Sequence, residues 1–170
     1  MRELSFLNKG ISIKVVDNGF GMSKNDLMIC FQRHATSKIN KSNDLFNISS
    51  KGFRGEALSS IAAVSHLEIV TRRKIDTLGY KLKVVAGKIQ SEEKVVSNIG
   101  TYVLVKNLFF NVPARRNFLK SDSVELRHIL NEFHRISIAH HDINFSLSHK
   151  NSEIFNLQKS SIHVRIKNIF

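Results

Sequence analysis

Four short segments between residues 66 and 107 constrain the fold of this chain more than any other feature of its sequence. In chain order they read HLEIVTR, YKLKVVA, KIQSEEKVV and TYVLVKN. Apolar and polar residues alternate in them, or β-branched residues cluster, as is typical of strands with one buried face. Because the connections between the segments are short, we expect the strands to pair in succession as an antiparallel meander.

Helices and further strands flank the predicted meander. GISIKVVD reads as a strand, and Ser23 and Asp26 after it have the spacing of a capping box, which predicts a short helix. Helices are also predicted from about Glu56 to Val64 and from about Ser123 to His140, where apolar residues keep a helical period. INFSLSH is predicted as a strand, and SSIHVRIKNIF as the start of a helix. The polar stretch from Arg33 to Ser50 has no period, which predicts a long loop.

Composition limits the class of protein. The chain has 170 residues, enough for one ordinary domain, and 42% of them are hydrophobic. No apolar run approaches the about 18 residues of a membrane span, and the first residues do not resemble a signal peptide, so we expect a cytoplasmic protein. The net charge of +12 suits a nucleic acid or an anionic nucleotide as partner. The alternative is a coding bias toward lysine and asparagine.

The motif DNGFGM follows the first predicted strand. Asp17 stands at the strand end, and Gly19 and Gly21 follow at two-residue spacing. The glycines would let a flat ligand lie against bare backbone, and a carboxylate could select a ligand that offers an amino group, such as adenine. The alternative is a plain turn, because the tripeptide DNG is a strong turn signal.

The motif GFRGEAL leads straight into a predicted helix. The first amides of a helix lack partners within it, and the helix dipole adds positive charge, so Gly52 and Gly55 could open an anion cradle suited to phosphates. Arg54 would add a fixed positive charge. The alternative is a helix start whose glycines serve tight packing.

Two further segments carry polar groups that could contact a nucleotide. RHATSKI places Thr36, Ser37 and Lys38 in the long loop, where they could close over a polyphosphate. GTYVLVKNL opens with Gly100 and Thr101, whose hydroxyl could reach a base edge or a water. Each segment alone is also compatible with a solvated loop or an ordinary strand.

The four motifs occur in an order, and with gaps, that closely resemble the MutL family of DNA mismatch-repair proteins. RHATSK, GFRGEAL and PARRNFL are specific to the MutL branch. The wider ATPase superfamily, which includes DNA gyrase, heat-shock chaperones and histidine kinases, does not share them. The resemblance implies an α+β two-layer sandwich of the Bergerat type, with helices over a mostly antiparallel mixed sheet. It also implies that the chain lacks the first helix of that fold.

The resemblance assigns roles in ATP binding to individual positions. Asp17 matches the aspartate that binds the adenine amino group, and Thr101 a threonine near the adenine. Gly19 and Gly21 match glycines beside the base, and Thr36, Ser37 and Lys38 lie in the loop that orders over ATP. The phosphate-binding loop and helix match Gly52, Phe53, Arg54, Gly55, Glu56, Ala57 and Leu58.

The resemblance also defines what this sequence lacks. The family's general-base glutamate, followed four residues later by a magnesium-binding asparagine, would precede the strand at Ile11; here Glu3 is followed at that spacing by Leu7. No catalytic or metal-ligating residue is therefore assigned, although the family uses ATP with Mg²⁺. We expect a truncated ATP-binding domain over residues 1–157 and the start of a second domain over residues 158–170.

The family's partners follow from the same resemblance. They are DNA, contacted non-specifically through its backbone, and a mismatch-recognition protein of the MutS type. The family forms homodimers, which we expect this chain not to form stably. The alternative to an ATPase is a nucleotide- or DNA-binding module that does not hydrolyse ATP.

Overall fold

The computed structural model describes the backbone of residues 2–6 and, in full, residues 12–32 and 55–170. The strands are β1 Arg2–Phe6, β2 Ser12–Asp17, β3 His66–Arg72, β4 Gly79–Val85, β5 Lys88–Val95, β6 Gly100–Lys106, β7 Phe145–His149 and β8 Ser152–Leu157. The helices are α1 Lys24–Ile29, α2 Ala57–Ala63, α3 Pro113–Arg116, α4 Asp122–Ala139 and α5 Ile162–Ile169.

These strands form one sheet in the order β5-β4-β3-β6-β2-β1-β7-β8. β1 and β7 pair in parallel, whereas the other neighbouring strands pair antiparallel. The predicted mostly antiparallel mixed sheet is therefore confirmed. β1 and β8 are strands that the sequence analysis did not predict.

The predicted meander is correct for three strands and wrong for the fourth. β6 does not continue beside β5 but lies between β3 and β2. β5 carries Ser91, Glu92, Glu93 and Lys94, and most of its residues are exposed, which suits an edge strand. β6 carries the apolar run Val103–Val105, whose burial favours a position inside the sheet.

All the core-forming helices cover one face of this sheet. Residues paired across neighbouring strands point to the same face. One such row crosses from β4 to β7 and includes, among its described side chains, Leu82, Ile69, Val103, Val15 and Leu147. Leu82 and Ile69 lie in a core beneath α1 and α2, and Leu147 lies in a second core with α4 and α5. The structure thus has the two predicted layers.

The predicted start of α1 is confirmed by its hydrogen bonds. The Asp26 N–H donates to Ser23 Oγ at 3.1 Å, and the Ser23 N–H donates back to Asp26 Oδ2 at 3.3 Å, which completes a capping box. The helix carries Leu27 into the first core, where it is fully buried. In the part of the chain that the structure describes, no helix has the length and apolar character needed to cross a membrane.

The C-terminal helix α5 packs against α4 and β8. Its Arg165 is fully buried and donates hydrogen bonds to the carbonyls of Ser137, His141, Ile143 and Gln158 at 2.7 to 3.0 Å. Burial lowers the pKa of this guanidinium, and the negative charge of Asp142 partly opposes that shift. The division of the chain after residue 157 remains a prediction.

Candidate functional site

The candidate site is built where three neighbouring strands meet the loops at one end of the sheet. Asp17 is the last residue of β2, and its lateral partner in β6 is Thr101. Thr101 in turn pairs with Thr71 of β3. Because paired residues share a face, all three side chains point to the helix-covered face of the sheet. The structure therefore brings together the two residues that the sequence analysis assigned to adenine recognition.

Asp17 organises the loop that follows it. The Gly19 N–H donates to Asp17 Oδ1 at 2.8 Å, so one carboxylate oxygen fixes the turn. A hydrogen bond of this kind is typical of aspartate in tight loops and turns. A carboxylate has lone pairs on both oxygens, and the side chain of Asp17 is only half-buried, so it can also accept from a ligand.

The glycines around Asp17 are required by the protein's own backbone. Gly21 has φ +69°, and a Cβ placed there would lie 2.2 Å from the carbonyl oxygen of Arg72. Gly100 has φ +118°, and its Cβ would lie 2.0 Å from the carbonyl oxygen of Asp17. Side chains at either position would clash with main-chain atoms. Close packing between strand ends thus explains both glycines without a ligand.

Thr71 is part of this site and was missed by sequence reasoning. Its side chain is 1% exposed, and its hydroxyl joins the loop after Asp17 to the start of β6. The Met22 N–H donates to Thr71 Oγ1 at 2.9 Å, and Thr71 Oγ1 lies 3.0 Å from the Gly100 carbonyl and 3.2 Å from Thr101 Oγ1. Only the pairing of β3 with β6, which the sequence analysis predicted wrongly, could have revealed it.

The predicted phosphate-binding segment is described only from residue 55 onward. Gly55 and Glu56 precede α2, and Ala57 and Leu58 form its first turn. Leu58 packs on the same core as Met22, so α2 and the loop after Asp17 lie over one half of the sheet. The remaining predicted site residues lie outside the described residues: Thr36, Ser37, Lys38, Gly52, Phe53 and Arg54.

A cavity of about 260 Å³ borders Asp17 and Thr101 but opens on the opposite face of the sheet. Its walls include Val16, Val70 and Tyr102, which alternate with the site residues along their strands and are paired with one another. Burial, with the negative charge of Glu68, raises the pKa of Tyr102. The cavity thus touches Asp17 and Thr101 from the face opposite to the one that the helices cover.

A second cavity, of about 480 Å³, lies near the other end of β3 and β6. Its lining includes His66 and Phe110, whose rings meet edge to face at 4.5 Å, and the cations Arg116 and Lys120. Arg116 and Lys120 are exposed. The cavity is thus a partly aromatic cleft near the PARRNFL segment and the start of α4, and it carries these two cations together with the carboxylate of Asp122.

Comparison with known proteins agrees with this architecture. Residues 4–109 match the family of histidine kinase-, DNA gyrase B- and HSP90-like ATPases. The chain belongs to this family. Within it, the chain is 54% identical over 160 residues to the DNA mismatch repair protein MutL of Flavobacterium psychrophilum, a match that covers 94% of this chain and 26% of that protein. It is 50% identical over 158 residues to MutL of Parabacteroides distasonis, with 93% and 26% covered.

Solved structures similar to this chain include MutL ATPase domains. The Aquifex aeolicus MutL ATPase domain complexed with ADP superposes with a TM-score of 0.81 and 28% identity, covering 99% of this chain and 60% of that one. The N-terminal domain of a DNA repair protein superposes with a TM-score of 0.79 and 29% identity, covering 99% and 50%. The resemblance to MutL proteins and the predicted fold are confirmed. The chain spans about a quarter of the length of its curated relatives.

Proposed function

We propose that this chain is the ATP-binding part of a cytoplasmic, MutL-like DNA mismatch-repair protein. The observation that carries the proposal is the pairing of Asp17 with Thr101 on the helix-covered face of a fold shared with a MutL ATPase domain that binds ADP. A half-buried carboxylate beside a hydroxyl suits a base that presents an amino group, as adenine does.

Other residues of this chain have roles in the proposal that follow from the family resemblance. Gly19 and Gly21 flank the base, Thr36, Ser37 and Lys38 close over the polyphosphate, and the segment 52–58 surrounds the phosphates. Bound ATP would supply a phosphoryl group for transfer to water, a reaction that depends on positioning and charge stabilisation. The sequence contains no match to the family's magnesium-binding asparagine, so no step through Mg²⁺ is assigned to this chain.

Titration with ATP tests the site. We expect Asp17→Asn to weaken ATP binding by about tenfold or more, because one carboxylate acceptor becomes an amide donor that opposes the adenine amino group. Asp76→Asn is the matched control, since Asp76 is a carboxylate in another loop and pairs with Arg73 at 2.8 Å. Calorimetry on the unmodified chain and both variants measures the affinities. Equal affinity in the Asp17→Asn variant and the unmodified chain would contradict the proposed site.

Whether the chain hydrolyses ATP separates two candidate functions. Phosphoryl transfer to water needs a positioned general base, whereas nucleotide binding does not. Phosphate release by the unmodified chain above that of the Asp17→Asn variant would establish an ATPase. ATP binding without such release would establish a binding module.

DNA is the macromolecular partner in this proposal, with a MutS-type protein and a second MutL copy as the family's other partners. Arg116 and Lys120, in the cleft that Asp122 also lines, supply positive charges that suit DNA phosphates. Contacts of this kind release counterions, so we expect DNA affinity to fall steeply with salt. The variant Lys120→Gln should lower the salt dependence, and Lys167→Gln on α5 is the control. Salt-independent binding would contradict phosphate contacts.

A further inference from the structure

The hydroxyl of Thr71 makes three hydrogen-bond contacts but has only one proton to donate. Its Oγ1 lies 2.9 Å from the Met22 nitrogen, 3.0 Å from the Gly100 carbonyl oxygen and 3.2 Å from Thr101 Oγ1. A hydroxyl offers one proton and two lone pairs. The chemistry of the three neighbours therefore determines where the proton of Thr71 is directed.

Two of the three contacts have fixed directions. A backbone N–H can only donate, so the Met22 amide uses one lone pair of Thr71 Oγ1. A backbone carbonyl can only accept, so the Gly100 carbonyl takes the proton of Thr71. The contact with Thr101 is then a hydrogen bond only if Thr101 donates its own proton to the second lone pair of Thr71.

This arrangement fixes the character of Thr101 toward the candidate site. With its proton directed at Thr71, the hydroxyl of Thr101 presents lone pairs beside the carboxylate of Asp17, its lateral partner. The half-buried Asp17–Thr101 pair then offers acceptors to a ligand. The 6-amino group of adenine can donate hydrogen bonds to these acceptors. The 6-oxygen of guanine is itself an acceptor, so the same acceptors repel it.

We infer that Thr71 is a positioning residue that sets the preference of the site for an adenine over a guanine nucleotide. It acts through Thr101 and Met22, because its own side chain is buried beneath them. Removing its hydroxyl frees Thr101 to rotate and to donate its proton to a guanine oxygen. The inference rests on the proposed nucleotide-binding function and adds to it the residue that controls base selectivity.

The test compares the affinities for ATP and GTP in matched variants of the whole chain. Thr71→Val keeps the shape of the side chain without the hydroxyl, and Thr71→Ser keeps the hydroxyl. Ser65→Ala removes another buried hydroxyl, which donates to the Ile61 carbonyl at 2.7 Å away from the site. We expect the ATP-to-GTP affinity ratio to fall about tenfold in Thr71→Val and to stay within about twofold of the unmodified chain in the other two variants.

The outcomes separate this inference from the function on which it rests. Failure of the unmodified chain to bind ATP overturns the proposed function and this inference with it. ATP binding combined with an unchanged affinity ratio in a folded Thr71→Val variant overturns the inference alone. Circular dichroism establishes that each variant is folded. Should Thr71→Val not fold, Thr71→Cys replaces it, because a thiol is only a weak hydrogen-bond donor.

Discussion

Cys30 is a half-buried thiol at the C-terminal end of α1, and its Sγ lies 3.2 Å from the carbonyl oxygen of Leu27. Burial raises its pKa to about 11, because the thiolate would lose hydration in the apolar surroundings of the first core. Since the thiolate is the reactive form, this environment makes Cys30 an inert thiol near neutral pH.

This pKa predicts slow chemistry at Cys30. At pH 8 the folded chain should react with a disulfide reagent on the order of 100-fold more slowly than the urea-unfolded chain, because fewer thiolates are present. The chain contains one cysteine, so absorbance of the released thiol reports this site alone. Equal rates in the folded and unfolded chains would contradict the burial of the thiol.

The same shift has a consequence for stability. A folded-state pKa above the unfolded value means that the stabilising contribution is complete below about pH 8.5 and is lost as the pH rises through the folded value of about 11. The free energy of unfolding in urea should therefore fall more between pH 8 and pH 11 in the unmodified chain than in Cys30→Ala. A loss of equal size in both would show that other groups cause it.

At the scale of the elements, the start of β6 depends on one backbone contact. Gly100 has a positive φ and its α-carbon approaches the carbonyl of Asp17, so alanine there faces both strain and a clash. Gly87, in the turn between β4 and β5, also has a positive φ of +76°, but its nearest neighbour for a Cβ is the Ala63 α-carbon at 3.8 Å. Both glycines thus have a positive φ, but only Gly100 lacks room for a Cβ.

We expect Gly100→Ala to lower the free energy of unfolding by several kcal/mol, whereas Gly87→Ala should cost about 1 kcal/mol from the conformation alone. Urea unfolding measured by circular dichroism gives both values. The Gly100 variant should also bind ATP more weakly, because the clash separates β6 from Asp17. Equal destabilisation by the two variants would show that the clash at Gly100 relaxes without cost.

Most elements were predictable, with β1, β8 and α3 as the exceptions, and their arrangement in the sheet was only partly so. α1 was predicted from Ser23 and Asp26, and β3 from its alternating residues, because such signals lie within a few neighbouring residues. The position of β6 depends on which strand gains the most free energy from having a neighbour on both sides. That question requires a comparison of all the strands of the sheet. The same limit applies to the site: motifs identified Asp17 and Thr101, but no local signal identified Thr71.

At the scale of the whole molecule, the described residues form two separate cores on one sheet. The first lies over β3, β4 and β6 beneath α1 and α2, and the second lies over β7 and β8 with α4 and α5. Between them are β2 and β1, joined to their neighbours by backbone pairing. Phe133, Phe155 and the buried Arg165 tie the helices to the second core alone.

This arrangement predicts that the two halves unfold with different free energies. Leu147 in the second core and Leu82 in the first are both almost completely buried, so alanine at either should cost about 2–5 kcal/mol. If the backbone pairing of β1 joins the halves weakly, Leu147→Ala should speed hydrogen exchange in β7, β8, α4 and α5 while β3 and β4 stay protected. Leu82→Ala, in the first core, should instead speed exchange in β3 and β4 while β7, β8, α4 and α5 stay protected.

Mass spectrometry of deuterium uptake by peptides from each half measures the effect. The comparison is informative because the two substitutions remove the same number of atoms from sites of equal burial, so only their place in the fold differs. Equal acceleration in both halves by Leu147→Ala would show one cooperative unit. Asp17 lies in β2, between the two cores. If the chain is one cooperative unit, a nucleotide bound at Asp17 would stabilise both halves equally. If the halves unfold independently, they would be coupled only when the site is occupied.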